Sequence, residues 1–501
     1  MTLEKILICA LAFIASPVVH LTSQSLLFIP NSEPIMVASE DFGNKSIRMI
    51  INASGEPVIS FGKNGSLFVA RWNSFSNQFE TPIEINANED VLMSDSEGPS
   101  LANNGNYIVL SYQISGQWTT GARSVHSFDG GLTWSEPVVM APNATENTYL
   151  PCVSVDEQNN PFAGIKIGND PATTFEGIVR SVDSGMTWLD PVNASEATAG
   201  IAVCECCASL PFVAEGKYYD IVRNNNNDLR DFWLLCSDDG VVWNNAIDVD
   251  PLDWTLPTCP ASGPAVTGPI GEGMYIIAFM SAAGAAGQAR VYLSEVDLQA
   301  NNGDGAWTLT HPVTVTQFDN ASQNVPVLAQ WNGNDEPLVA LAWEQNTGGF
   351  DVQLALSQGE EWTLTDIAQN LTGTWTGQHR RPAIAFSTDD NEEPVLHIAW
   401  QHSTSGTVHY MTGTISETSI VNEIASLEPR LANEAGGIRI HLAEGWYDSS
   451  WSVWDITGRL VVSGMNNGTE SITIANSVLP AHAIISVETS DGARWAQAAK
   501  R

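Results

Sequence analysis

The residues best equipped for chemistry lie between positions 203 and 264. Val203-Cys204-Glu205-Cys206-Cys207 places three thiols and a carboxylate within one short segment. Tyr218-Tyr219-Asp220-Ile221-Val222-Arg223 follows, then a polar loop from Asn224 to Asp228 and the pair Arg230-Asp231. Asp253-Trp254 precedes Cys259-Pro260-Ala261-Ser262-Gly263-Pro264. Guanidinium forks bind carboxylate groups bidentately, and carboxyl groups serve as proton donors and acceptors. Arg223, Arg230, Asp231, Glu205 and Asp253 are therefore the candidate catalytic set. A second set is Glu344, in Trp343-Glu344-Gln345, with Arg380 and Arg381 after His379. Those residues suit ligand binding, with aromatic neighbours to stack on sugar rings. Glycoside hydrolysis would further need two carboxylates about 5–9 Å apart.

The thiols allow two readings. The chain has seven cysteines, and setting aside Cys9 in the leader leaves six. Cys152, Cys204, Cys206, Cys207, Cys236 and Cys259 are an even number, expected in an oxidising compartment to form disulfides whose pairing the sequence leaves open. In the other reading Cys204, Cys206 and Cys207 hold a soft metal. No histidine stands at zinc-finger spacing from them, so no cofactor or metal is expected. Calcium in the Asn224–Asp228 loop is a weaker reading than a solvated turn.

Composition narrows the partners. Twenty basic against 57 acidic residues give 20 − 57 = −37, a field that repels nucleic acid and anionic lipid. A local arginine cluster can still attract an anion. Lys5 followed by the apolar run Ile6 to Ala15, then Ser/Thr/Gln-containing sequence to Ser25, has the layout of a secretory signal peptide. No later stretch is long and apolar enough for a membrane helix. The expected protein is secreted or held at the outer cell surface after leader removal, and not transmembrane.

The elements that must position these residues form a repeat. From Ile47 to Ser416, short strands rich in Val, Ile, Tyr and Trp alternate with Gly, Asn, Asp and Pro turns, an all-β pattern. Ser127-Phe128-Asp129-Gly130-Gly131-Leu132-Thr133-Trp134 returns as Ser181-Val182-Asp183-Ser184-Gly185-Met186-Thr187-Trp188. A degenerate copy, Cys236-Ser237-Asp238-Asp239-Gly240-Val241-Val242-Trp243, carries Asp238, Gly240 and Trp243 in the equivalent places. The tryptophans lie 188 − 134 = 54 and 243 − 188 = 55 residues apart, a spacing of propeller blades. Asp and hydroxyl side chains cap the turn, Gly131 and Gly185 supply its positive φ, and Trp packs between sheets.

This Ser-x-Asp-x-Gly-x-Thr-Trp unit resembles the Asp box of sialidase-like β-propellers, where it marks outer turns far from the central cleft. The resemblance implies a propeller over residues 26–416. Units beginning near Ile47, Gly98, Leu150, Cys206, Gly263, Val325 and Arg381 give seven blades, with six as the alternative. Ile35–Ala38 is expected to complete the last one. The family's catalytic members carry an Arg-Ile-Pro or Arg-Leu-Pro motif near the start of the mature chain, where this sequence reads Phe28-Ile29-Pro30. The Cys-x-Cys-Cys and Arg-Asp arrangement is similar to that of exported sialidase-like proteins, which implies a place on inner strands and rim loops.

A linker, 417–433, precedes a small β-sandwich pattern over 434–501. Trp451-Ser452-Val453-Trp454-Asp455-Ile456-Thr457-Gly458-Arg459, the turn Leu479-Pro480-Ala481 and terminal Lys500-Arg501 resemble the sorting domain of Bacteroidetes type nine secretion substrates. His482-Ala483 departs from that pattern, which usually has Gly-aromatic there. The resemblance implies the secretion machinery as partner. Together these features predict an exported propeller that recognises extracellular glycan without full sialidase machinery. A divergent exo-sialidase or other glycoside hydrolase is the alternative, and a surface adhesion scaffold the third.

Overall fold

The computed structural model describes residues 24–500 except 39–44, 86–88, 94–97, 199–201, 284–287, 314–320, 334–335, 360–367, 420–429, 435–436, 443–447, 456–458, 468–470, 476, 481 and 490–493. The expected leader, Cys9 and much of the expected linker lie outside the described residues. Leu26–Ser416 forms one compact unit, and the stretch from Glu417 groups separately.

In the larger unit seven antiparallel sheets follow one another, which settles the blade number and sets six aside. The first runs from Lys45–Ile51 through Pro57–Lys63 and Ser66–Asn73 to Gln78–Phe79. The third is Thr148–Val155, Pro161–Ile167, Phe175–Arg180 and Val192–Asn193. The fourth is Leu210–Ala214, Lys217–Arg223, Phe232–Ser237 and Asn245–Asp248. The seventh contains His379–Thr388, Pro394–His402 and Thr407–Ser419. Ile35–Ala38 pairs with Thr407–Ser419 as expected, and Gln24–Pro30 joins the same strand as a further addition. Chain ends meeting in one sheet leave the ring without an open seam.

Inner strands share a local distortion. Pairing of the inner with the second strand slips between Lys45 and Arg48, Tyr149 and Cys152, Asn324 and Val327, and Arg380 and Ala383. The residue after the first of each pair has a positive φ: Ser46, Leu150, Val325 and Arg381. Each is a β-bulge, which re-aims side chains beside a site.

Turns at the far ends of the third strands carry the repeated motif. Ser127 Oγ donates to Asp129 Oδ1 at 2.8 Å, and the Gly131 and Thr133 amides return to Ser127 Oγ and Asp129 Oδ1. Ser181, Asp183, Gly185 and Thr187 repeat this network. The degenerate copy is one residue tighter than expected. Ser237 and Asp239, not Cys236 and Asp238, cap it, with the Val241 and Val242 amides both 2.8 Å from Asp239 Oδ1. Asp238 instead pairs with Lys217 at 2.7 Å. Trp188 and Trp243 are buried among apolar residues of their own and the preceding blade, and Trp134 packs likewise.

The described residues of the C-terminal unit form two sheets. Arg430–Glu434, Gly437–His441 and Ser471–Ala475 form one, and Asp448–Asp455, Leu460–Asn467, His482–Thr489 and Arg494–Lys500 the other. Ile438, Ile440, Val453 and Ile485 bury the space between them. Arg459 closes a hairpin on Asp455 through its amide at 3.1 Å and its Nε at 3.0 Å.

Candidate functional site: the central cavity and the rim of the fourth blade

A cavity of about 300 Å³ lies where all seven inner strands meet. Arg48, Leu101, Cys152, Leu210, Val266, Val327 and Arg381 line it, one from each blade in order. This volume is at the low end for ligand sites. Arg48 projects from just beyond the first bulge and is exposed to the cavity, holding one hydrogen bond, to the Ile47 carbonyl at 2.9 Å. Protein atoms crowd it, and that burial lowers its pKa below the ordinary guanidinium value. Arg381 sits at the bulge of the seventh blade. Among the described residues that line the cavity there is no Asp or Glu.

Glu344, Arg380 and Arg381 do come together. Glu344 is buried, and Arg380 reaches its two oxygens at 3.2 and 3.0 Å while stacking 4.1 Å over Phe350. The Arg381 amide donates to the same carboxylate at 3.3 Å. Glu344 thus anchors the bulge that delivers Arg381 to the cavity.

The set around Arg223 is also brought together, but as a packed rim. Arg223 is fully buried, donates to the carbonyls of Arg230 and Met280, and stacks 3.9 Å from the Phe232 ring. Its fork is engaged by protein. Arg230 is buried, bonding the Leu256 carbonyl and the Cys204 sulfur at 3.1 and 3.2 Å. Asp231 is buried too, accepts from the Trp254 amide, and is pushed up by burial to about 7. Glu205 is half-buried beside Asn225, while Asp253 is exposed at a positive φ. Asn224 accepts from the Asp231 amide, and a bridge between Asn226 and Leu229 closes the loop on itself.

Among the described residues one disulfide, Cys206–Cys259, stands where full oxidation was expected. Cys152, Cys204, Cys207 and Cys236 are thiols. Strand placement explains this for two of them. Cys236 is buried in the third strand of its blade, and Cys152 faces the cavity from the third blade. The sulfurs of Cys204, Cys206 and Cys207 lie within 4.8 Å of one another. With Cys206 in a disulfide, two thiols of that trio remain, fewer than structural zinc sites use.

Behind the cavity wall lies a charged cluster that sequence reasoning missed. Lys166 and Glu176 stand directly opposite on neighbouring strands of the third blade, both buried, and Lys166 Nζ donates to Glu176. Ser209 donates to Glu176 at 2.8 Å and also lines the cavity. Asp220 is fully buried beside them, with Ser209 and the Leu210 amide against its carboxyl group. Gly164 makes room: a Cβ there would fall 2.1 Å from Ser209 Oγ, 2.8 Å from Glu176 and 3.2 Å from Asp220. The available signal was a lone lysine in the apolar strand Pro161–Ile167.

Burial first, then the Glu176 charge, raises the Asp220 pKa well above the 3.8 of a free aspartate. The unfolded chain releases this proton near pH 3.8 and the folded chain only at higher pH. Stability is therefore lost as pH rises from there. Asp220→Asn should raise the melting temperature at pH 7, with the gain shrinking towards pH 4. Calorimetry that finds no gain at pH 7 would contradict this assignment.

No protein-family model matches the chain, and no curated protein matches it. Among solved structures, a polysaccharide lyase, PL25 ulvan lyase, is similar at 13% identity and TM-score 0.48, covering 78% of this chain and 99% of its own. The α-L-arabinanase of Penicillium chrysogenum is similar at 13% identity and TM-score 0.41, over 77% and 98% of the two chains. NanB sialidase of Streptococcus pneumoniae is similar at 11% identity and TM-score 0.43, over 77% and 71%.

Proposed function

We propose that this chain is an exported sialidase-like propeller whose central cavity recognises an anionic saccharide. The supporting observation is that Arg48 enters a cavity with no described acidic lining, in a protein of net charge −37, beside Arg381, whose Nε lies 3.9 Å from Glu344. A uronate carboxylate or a sulfate ester is the chemistry that such forks select. Export is supported by the apolar run after Lys5. The Asp455–Arg459 hairpin and the terminal Lys500-Arg501 support a sorting role for the tail. Recognition is preferred to hydrolysis because the described lining lacks the paired carboxylates that hydrolysis requires.

The test uses the Leu26–Ser416 unit with a pool of sialylated and sulfated or uronate-rich oligosaccharides, read by mass spectrometry. Retention of anionic members without shortening is expected. Arg48→Ala should weaken the retained ligand roughly tenfold or more, as for a lost charged hydrogen bond. Equal retention by Arg48→Ala would place binding elsewhere, and newly shortened products would replace recognition with catalysis.

A further inference from the structure

The sulfurs on the rim of the fourth blade are arranged for exchange. Cys204 Sγ lies 3.4 Å from Cys206 Sγ, and Cys206 is already bonded to Cys259. Cys204 and Cys207 are buried, whereas Cys259 is exposed on the loop between the fourth and fifth blades. Arg230 Nη1 donates to Cys204 Sγ at 3.2 Å, and its own position is fixed by the Leu256 and Trp254 carbonyls. The Cys204 amide is tied to the Arg223 carbonyl at 2.7 Å, so the attacking sulfur is held by backbone as well.

We propose that Cys204, Cys206 and Cys259 form a thiol–disulfide relay whose partner is an external disulfide. The Cys204 thiolate attacks Cys206 Sγ, forming the Cys204–Cys206 bond. The Cys206–Cys259 bond breaks, and its electron pair leaves on Cys259 Sγ. No oxidant is consumed, because one disulfide and one thiolate are present before and after. The exposed Cys259 thiolate then attacks a partner disulfide R–S–S–R, forming Cys259–S–S–R and releasing R–S⁻. Burial reserves Cys204 for the internal sulfur, while Cys259 meets the partner.

The electrostatics agree with this geometry. The Cys204 pKa is lowered to about 6, first by a hydrogen bond from Cys207 and then by the Cys206 amide, with Arg230 and Lys166 adding charge, against the opposing effect of burial. At neutral pH that thiol is mostly the nucleophilic thiolate. The relay is independent of the saccharide reading, since none of its three cysteines lines the central cavity.

The probe is oxidised glutathione, incubated with the full chain from pH 5 to 9. Acid quenching, thiol blocking and peptide mapping follow. Expected products are a Cys204–Cys206 linkage and one glutathione on Cys259, appearing together and slowing severalfold below about pH 6. Cys204→Ser should abolish the Cys259 adduct. Arg230→Gln provides a second variant, slowing exchange near pH 6 and matching the native rate near pH 9. An unchanged adduct at Cys259 in Cys204→Ser overturns the relay. So does an intact Cys206–Cys259 bond at every pH, when the unfolded chain exchanges freely. Isolation with Cys206 and Cys259 both reduced, or both bound to a metal, overturns it equally.

Discussion

Lys166→Met should destabilise the propeller by about 3–5 kcal/mol, the cost of stranding a buried charge. Lys166 and Glu176 are cross-strand neighbours sealed from solvent, with Asp220 beside them. Burial alone would lower the lysine pKa, yet the Glu176 charge holds it above its ordinary value. Removing the ammonium leaves two carboxyl groups in one dry site. Lys166→Met with Glu176→Leu should recover much of the loss, because an apolar pair replaces a buried ion pair at little cost. Denaturant unfolding of the single and double variants measures both. A double variant no more stable than the single one would show that the site needs its charges for some other reason.

Phe28→Ala should cost about 3–5 kcal/mol, as for other fully buried aromatic side chains. Phe28 packs with Leu354, Leu396, Ile398 and Trp400 in the core shared by the sixth and seventh blades. Its backbone is also clasped by Gln369, which accepts from the Phe28 amide at 2.7 Å and donates to its carbonyl at 3.1 Å. Loss of this contact loosens the closing strand and leaves Thr407–Ser419 with an edge to pair elsewhere. Light scattering during denaturant unfolding should therefore show association of the variant before the native chain. A loss below about 1 kcal/mol would show that Ile35–Ala38 alone closes the ring.

The blades were legible because turn chemistry is local. Ser, Asp, Gly and Trp at fixed offsets each have a job within one hairpin, and every inner strand but the first carries or directly follows a proline. The same signals misassigned the degenerate copy by one residue, since Ser237 and Asp239 do in a shorter turn what Ser127 and Asp129 do in a longer one. The candidate site was legible only in part. Arg380, Arg381 and Glu344 were singled out one by one, and strand pairing brings them together. Arg223 looked like a ligand fork but is spent on two carbonyls and an aromatic face. Which side of a strand an arginine takes depends on bulges, and bulges are settled by pairing between strands. The Lys166–Glu176 pair was hidden for the same reason, because its partners meet through register and not through sequence spacing.

The recurring bulge also separates two demands on the same strands. Beyond the slip, pairing is regular, and those residues answer to the core of their blade. At the slip, Ser46, Val325 and Arg381 line the cavity while the ladder passes around them, and Glu344 holds Arg381 in place. A change of side chain there alters one sector of the cavity wall and leaves six sectors untouched. The molecule is in that sense a combination lock with independent tumblers, whose setting can drift towards a new ligand one blade at a time.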